Sequence, residues 1–155
     1  MSSIIFLDIE GVILTGCYSG RPVISSERLT GKFDPLTIYW LNRLSMETGA
    51  EVVITSTWRF AFDLDELRTK FRNSGFRGRI TGHLSTNIDF PRSNHIRSWL
   101  QAHDIHRYVI IDDVVDDLKE EFPGHFVETS YHRGLTAETY LQAKQCLKQD
   151  ELIPV

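Results

Sequence analysis

The chain has 155 residues, of which 41% are hydrophobic and 25% are charged, and its formal net charge is −4. This length and composition predict a globular protein with a single domain, and the acidic balance gives no overall nucleic-acid footprint. The sequence contains no apolar run as long as a membrane span and no signal-peptide pattern, so we expect a cytoplasmic protein. Cys17 and Cys146 are far apart and lack zinc-site spacing, which favours free thiols.

The first predicted element is an apolar strand that leads into two carboxylates. Residues 4–7 are apolar, and Asp8, Glu10 and Gly11 follow them closely. A continuous apolar run is typical of a strand that is buried on both faces of a parallel sheet. Asp8 and Glu10 share one side of an extended segment, because side chains alternate. Two carboxylates at a strand exit are unfavourable unless a cation or a suitable reaction compensates them.

A helix and a second strand follow. Residues 15–32 are polar and turn-rich, and they predict a loop or small hairpin that leaves the sheet and returns. The pair Asp34-Pro35 predicts the start of a helix, and Gly49 is a plausible end. Residues 51–55 are mainly β-branched and predict the next strand.

The exit of this second strand carries hydroxyl groups, an aromatic ring and a cation. These residues are Thr55, Ser56, Thr57, Trp58 and Arg59. A hydroxyl group at this position can bind a ligand or cap the following turn, and Thr57 is the better candidate for the cap. Arg59 can bind a substrate or pair with a surface acid.

The alternation of helices and strands continues in the second half of the chain. We expect a helix from about Asp63, a short strand at residues 79–82, and a helix that begins at Ser93 or Asn94 and ends near His103.

The third clear strand ends in another acidic pair. It covers residues 108–111, and Asp112 and Asp113 follow it, whereas Arg92 lies in an earlier connection, just before a predicted helix. The remaining predicted elements are a short helix at residues 114–122, a strand at 125–129 and a final helix that buries Tyr140, Ala143 and Leu147.

Strands that alternate with helices predict an α/β fold with a mainly parallel sheet and helices on both faces. The carboxyl ends of such strands meet at one edge, so Asp8, Ser56 and Asp112 are expected to converge there. Carboxylates suit Mg²⁺, and a hydroxyl with Arg92 suits phosphate oxygens. The pattern therefore predicts a site for phosphoryl chemistry with an aspartate nucleophile.

The same stretches resemble the haloacid dehalogenase (HAD) superfamily of phosphatases, and more narrowly the small HAD domains associated with bacterial RNA-repair proteins. The resemblance is carried, in order, by residues 6–12, 53–59, 92–100, 108–113 and 134–136. It implies a Rossmann-like three-layer sandwich formed by one domain, residues 1–155, with residues 15–32 as a small flap or minimal cap. An open site of this kind fits a bulky substrate such as a nucleic-acid end.

The resemblance also implies roles for residues at the first two strand exits. Asp8 would attack phosphorus and form an aspartyl-phosphate, and Glu10 would protonate the leaving oxygen and then activate water. Ser56 would hydrogen-bond the transferring phosphoryl group. Thr55 is the alternative to Ser56, because the strand end is uncertain by one residue. Thr55, Thr57 and Arg59 are candidate substrate-binding residues.

Further roles follow from the same resemblance. Arg92 stands in place of the family's usual lysine or arginine, which neutralises nucleophile and phosphate. Mg²⁺ would be held by Asp8, Asp112 and Asp113, directly or through water, and by the backbone carbonyl of Glu10. The expected partner is a phosphorylated small molecule or nucleic-acid end, with no membrane and no obligate protein partner.

Glu10 departs from the family pattern, which usually has aspartate at this position. Acid–base catalysis depends on reach to the transferred proton, and glutamate is one methylene longer. Two interpretations stay open: an active phosphomonoester hydrolase, or a catalytically impaired domain that binds phosphate or has a regulatory role.

A basic run spans residues 68–79. It contains Arg68, Lys70, Arg72, Arg77 and Arg79 and no acid. Such a run is usually the solvated face of a helix and its following turn. The alternative is a track for nucleic-acid phosphates.

Overall fold

A parallel sheet forms the centre of the computed structural model, which describes residues 2–19 and 32–148. Its strands are β1 (Ser3–Leu7), β2 (Glu51–Ile54), β3 (Ile80–His83), β4 (Arg107–Asp112) and β5 (Phe126–Glu128). The order across the sheet is β3-β2-β1-β4-β5, and every neighbouring pair is parallel. The chain moves outward from β1 to β3, then crosses to the other side of β1. The direction of winding therefore switches between β1 and β4, which is where open α/β sheets bind ligands.

Helices cover both faces of this sheet. They are α1 (Gly16–Ser19), α2 (Pro35–Thr48), α3 (Leu64–Asn73), α4 (Arg92–His103), α5 (Leu118–Glu121) and α6 (Ala137–Lys148), with a 3₁₀-helix at Thr57–Phe60. Ile5 and Leu7 of β1 pack with residues of α2, α3 and α6. Ile4 and Phe6 pack on the opposite face with residues of α4 and α5. The predicted α/β three-layer sandwich is confirmed, and β1 is buried on both faces as its apolar run indicates.

The helix α2 begins and ends where the sequence indicates. The Asp34 carboxylate accepts hydrogen bonds from the backbone N–H of Leu36 at 3.0 Å and from the Thr15 hydroxyl at 2.9 Å. Gly49 ends the helix in the left-handed conformation, at φ +74°. The cap at Asp34 thus also ties α2 to the segment that leaves β1.

Three local predictions are wrong. Residues 16–19 form a helix instead of loop or hairpin, while residues 20–31 of the predicted flap lie outside the described residues. Arg92 is the first residue of α4, because Pro91 holds the extended N-cap conformation, so neither Ser93 nor Asn94 caps the helix.

The third error concerns the turn after β2. Ser56, not Thr57, caps the 3₁₀-helix, and its hydroxyl accepts a hydrogen bond from the Trp58 N–H at 3.1 Å.

Among the helices that the structure describes, none has both the length and the apolar character needed to cross a membrane.

Candidate active site

The register of the sheet brings three strand exits to one level. Leu7, the last residue of β1, lies opposite the last residue of β2 and opposite Ile111 of β4. The backbone ladder then continues: Thr55 donates its N–H to the Leu7 carbonyl at 2.9 Å, and Asp8 donates to the Ile111 carbonyl at 3.1 Å. Residues in register on parallel strands share a face. Thr55, Asp8 and Asp112 therefore lie side by side at the carboxyl edge, at the point where the winding switches.

Three carboxylates meet at this edge. Asp8, Asp112 and Asp113 each offer an oxygen, and these oxygens all lie within 4.8 Å of one another. Asp112 is 1% exposed, and its Oδ1 accepts a hydrogen bond from the Val114 N–H at 2.9 Å. The Asp113 carboxyl group packs against Gly11, at φ +81°, where a Cβ atom would overlap it. Glycine at position 11 is thus needed both for the backbone conformation and for the approach of Asp113.

The protonation behaviour of these carboxylates reflects their crowding. Burial, followed by repulsion from Asp112, raises the pKa of Asp8 well above its ordinary value, although Arg92 opposes this rise. Burial and the charge of Asp112 also raise the pKa of Asp113 to about 6. The cluster holds more negative charge than its protein surroundings neutralise. Three hard oxygen donors in such surroundings fit Mg²⁺, which prefers carboxylate and water ligands.

Arg92 is the cation bonded to this cluster. Its Nη1 donates to Oδ2 of Asp112 at 2.5 Å, and its Nη2 lies 3.8 Å from the carboxylate of Asp116. Burial lowers the Arg92 pKa, but attraction to Asp112 and Asp8 outweighs burial, and the pKa is raised overall. Arg92 is therefore a permanent positive charge beside the carboxylates, held there by the first turn of α4.

The hydroxyl groups after β2 have different surroundings. Thr55 Oγ1 is buried and has no hydrogen-bond partner among residues 2–19 and 32–148. The Ser56 hydroxyl is engaged as a cap, and Thr57 is exposed. A buried polar atom without a partner costs about 1–3 kcal/mol, which is tolerated most readily where a ligand can satisfy it. Thr55, in register with Asp8, is thus better placed than Ser56 to contact a ligand.

Arg59 holds the backbone of the segment that carries these hydroxyl groups. It is 7% exposed, and its Nη1 donates to the carbonyls of Thr55 at 2.7 Å and Ser56 at 3.0 Å. Its Nε donates to the Ser85 carbonyl at 3.0 Å, which joins the exit of β2 to the segment after β3. Burial and the charge of Arg92 lower the Arg59 pKa, whereas Asp8 raises it. Its bonds go to backbone carbonyls and not to a surface acid in the described part of the chain.

Glu10 lies in a tight loop directly after the nucleophile candidate. The Ile9 carbonyl accepts from the N–H groups of Val12, Ile13 and Leu14 at 3.0–3.1 Å, and this closes the loop. The half-buried Glu10 side chain is not a member of the group of mutually close carboxylates found within the described ranges. A metal contact at Glu10 would therefore use its backbone carbonyl, which stays a prediction.

The structure adds two residues to those selected from the sequence. Thr129, just after β5, donates its hydroxyl to the Gly11 carbonyl at 2.6 Å and its N–H to the Asp112 carbonyl at 3.0 Å. It thereby joins the loop after β1 to the end of β4, and its sequence signal was a hydroxyl at yet another strand exit. Asp116, beside Arg92, adopts φ +44°, a positive value that few residues other than glycine adopt.

Comparison with models of known protein families gives a match over most of the chain. The family model described as "HAD domain in Swiss Army Knife RNA repair proteins" matches residues 4–140 of the chain. No protein of curated function and no solved structure gives a significant match.

Proposed function

Since the chain belongs to the family of HAD domains in Swiss Army Knife RNA repair proteins, we propose that it hydrolyses phosphomonoesters with Asp8 as nucleophile. One observation carries this proposal. Asp8 lies at the centre of three converging strand exits, within 4.8 Å of two further carboxylates. Arg92, in the first turn of α4, bonds to Asp112 at the β4 exit, and Thr55 at the β2 exit offers a hydroxyl that has no partner among the described residues.

The proposed reaction has two displacements. In the first, a carboxylate oxygen of Asp8 bonds to phosphorus while the phosphorus–oxygen bond of the ester breaks, and Glu10 gives its proton to the leaving oxygen. In the second, Glu10 takes a proton from water as the water oxygen attacks phosphorus. The bond between Asp8 and phosphorus then breaks, which releases inorganic phosphate and restores the carboxylate.

The surrounding residues bind and orient the phosphoryl group. Thr55 donates its hydroxyl to a phosphoryl oxygen, and this supplies the hydrogen bond that it does not form with any of the described residues. Arg92 balances the charge that Asp112 and the phosphoryl group bring together. Arg59 holds the backbone carbonyls of Thr55 and Ser56, so it fixes the position from which the Thr55 side chain extends.

Asp8, Asp112 and Asp113 would hold a Mg²⁺ ion, with the Glu10 carbonyl as a further ligand. When bound, the ion supplies positive charge to the phosphoryl oxygens and relieves the repulsion among the carboxylates.

The test of the nucleophile uses Asp8→Asn, which keeps the size of the side chain but removes its charge and nucleophilicity. Hydrolysis of p-nitrophenyl phosphate is measured with and without Mg²⁺. We expect Asp8→Asn to lose at least about a thousandfold in kcat, because the covalent route is removed. Asp89→Asn, on an exposed segment, is the matched control and should keep full activity. A wild-type rate in Asp8→Asn overturns the mechanism.

Glu10 favours a second candidate function, a phosphate-binding domain with impaired catalysis. Its side chain is one methylene longer than aspartate, and it extends from a loop whose backbone is fixed. An inactive wild-type protein, together with a Glu10→Asp variant that gains Mg²⁺-dependent turnover, would favour this candidate. Substantial wild-type turnover would exclude it.

The family description also motivates a proposal on the substrate, namely the phosphorylated end of an RNA strand. Oligoribonucleotides with a 5′- or a 3′-phosphate are compared with p-nitrophenyl phosphate by kcat/KM. Equal values for all three substrates would count against a nucleic-acid substrate.

A further inference from the structure

A second set of cations lies away from the candidate active site, near the amino ends of β2 and β3. Two neighbouring cavities of about 540 and 550 Å³ meet there at Gly78. The first is lined by Arg68, Arg72 and Arg79, and the second by Arg43 and Arg77. We call the surface formed by these five arginines the amino-edge surface. Phosphoryl chemistry at the carboxyl edge makes no use of them.

Five arginines lie on this surface although the whole chain has a charge of −4, and three of the five are paired with acids. Arg43 donates two hydrogen bonds to Glu47, at 2.9 and 3.0 Å. Arg72 and Arg77 are exposed, and neither forms an ion pair with any residue in the described ranges. Arg68 lies 3.3 Å from Asp65 and Arg79 lies 3.9 Å from Glu51, in pairs that are open to solvent. Exposed pairs of this kind are weak, so a phosphate group can replace the acid.

The amino-edge surface is held in place by hydrogen bonds. The Asn42 amide donates to the Gly75 carbonyl at 3.0 Å and accepts from the Arg77 N–H at 2.8 Å. Arg68 Nε donates to the Ile80 carbonyl at 3.0 Å. Because this turn is already held by hydrogen bonds, a ligand that binds there causes a smaller loss of conformational entropy.

Close packing also fixes the boundary between the two cavities. A Cβ atom at Gly78 would overlap the Phe76 ring and approach Ser45 Oγ to 2.6 Å. Gly78 thus lets the backbone pass close to Phe76 and Ser45 at the boundary, and it lines both cavities, which are therefore adjacent.

The second cavity adds apolar and aromatic surface to the cations. Tyr39 is 51% exposed and Met46 is 75% exposed, and both line this cavity beside Arg43 and Arg77. Exposed aromatic rings next to arginines are suited to unstacked bases and the phosphates between them. A duplex would keep its bases stacked inside, away from such a wall.

We propose that the amino-edge surface binds the sugar–phosphate backbone of a single-stranded nucleic acid. Guanidinium groups match phosphate oxygens in geometry, and the two adjacent cavities offer successive positions along a strand. Tyr39 stacks on a base. Nucleic-acid binding at this surface does not depend on catalysis at Asp8. The further idea that this binding selects a nucleic-acid substrate rests on the proposed function.

The test measures binding of a fluorescent oligoribonucleotide of roughly twelve nucleotides without terminal phosphates, by anisotropy over a series of salt concentrations. The double variant Arg72→Ala/Arg77→Ala should bind at least about tenfold more weakly at low salt. The slope of log K against log salt should fall by about 1.4, because each lost phosphate contact removes about 0.7. Tyr39→Ala should weaken binding and leave the slope unchanged, since stacking releases no counterions.

Matched controls separate this surface from bulk charge and from catalysis. Lys119→Ala/Lys148→Ala removes the same charge from α5 and α6 and should bind like the wild type. Asp8→Asn should also bind normally, and Arg72→Ala/Arg77→Ala should hydrolyse p-nitrophenyl phosphate normally. If the wild type binds the oligoribonucleotide but does not hydrolyse p-nitrophenyl phosphate, the result counts against the proposed function and not against binding at the amino-edge surface.

Three results overturn the inference. They are absence of oligonucleotide binding by the wild type, an equal loss of binding in the lysine control, and competition by polyglutamate as strong as by unlabelled oligonucleotide. The last result would assign the surface to an acidic protein segment.

Discussion

Replacing Asp113 by Asn is expected to stabilise the protein in the absence of divalent metal. Burial and the charge of Asp112 raise the Asp113 pKa from its ordinary value of 3.8 to about 6. At about 1.4 kcal/mol per pKa unit this is at most about 3 kcal/mol. Asp113 is only half-buried, and solvent screening reduces the figure to roughly 1 kcal/mol. Asn keeps the shape of the side chain beside Gly11 and removes its charge.

The direction of the pH dependence follows from which state of Asp113 binds protons more tightly. Its folded pKa is the higher one, so the folded state holds more protons between about pH 4 and 6, and stability falls as the pH rises through this window. Above about pH 6 the full cost of the charge is present in the wild type. The advantage of Asp113→Asn should therefore be largest at about pH 8 and disappear near pH 4.

The assay is urea unfolding with EDTA at both pH values, with thermal melting as a second measurement. At about pH 8, roughly 1 kcal/mol corresponds to a rise in Tm of about 2–4 °C. With Mg²⁺ the order should reverse, because an ion at one hundred times its Kd stabilises the wild type by about 2.7 kcal/mol. Asp89→Asn controls for the change of net charge. If Asp113→Asn is less stable than the wild type at the higher pH with EDTA, the assignment of a repulsive carboxylate cluster is incorrect.

Two further predictions concern Thr55 and Glu47. Thr55→Val should lower kcat on p-nitrophenyl phosphate by about 10²–10³ and leave the urea midpoint unchanged or higher, because it removes a buried hydroxyl that has no partner among the described residues. Ser56→Ala should lower the urea midpoint, because its hydroxyl caps the 3₁₀-helix, and should leave kcat nearly unchanged. Full turnover in Thr55→Val would contradict the assignment. The Tyr140 hydroxyl, followed by Lys144, lowers the Glu47 pKa to about 2. The stability advantage of the wild type over Glu47→Gln should thus be complete above about pH 4.5 and vanish towards pH 2, and a pH-independent difference in urea unfolding would argue against it.

The sequence predicts most of the fold because continuous apolar runs and strand-end acids leave few alternatives. Residues 4–7 could not face water on either side, and the structure buries all of them within β1. The acids at the exits of β1 and β4 were identified for the same reason, since carboxylates after a buried strand are unfavourable without a ligand.

The choice between Thr55 and Ser56 could not be made from the sequence. A strand end is uncertain by one residue, and a one-residue shift exchanges the two faces. Only the register, in which Thr55 bonds to Leu7, shows which hydroxyl lies level with Asp8. The role of Arg59 was equally hidden, because bonds to three backbone carbonyls leave no pattern in the side chains.

The position of β1 in the sheet explains why Asp8, among the acids at strand exits, is the proposed nucleophile. β1 is the central strand, so its exit has neighbours on both sides: the β2 exit contributes the Thr55 hydroxyl and the β4 exit contributes Asp112. An acid at the end of an edge strand would have one such neighbour. Asp112 also has neighbours on both sides, but its carboxylate is committed to Arg92 and to a backbone N–H. The pKa of Asp8 is raised by burial and by its acidic neighbours. In the proposed reaction, a phosphoryl group with a bound cation would add positive charge to that of Arg92, and it would accept a hydrogen bond from Thr55, whose hydroxyl has no partner among the described residues.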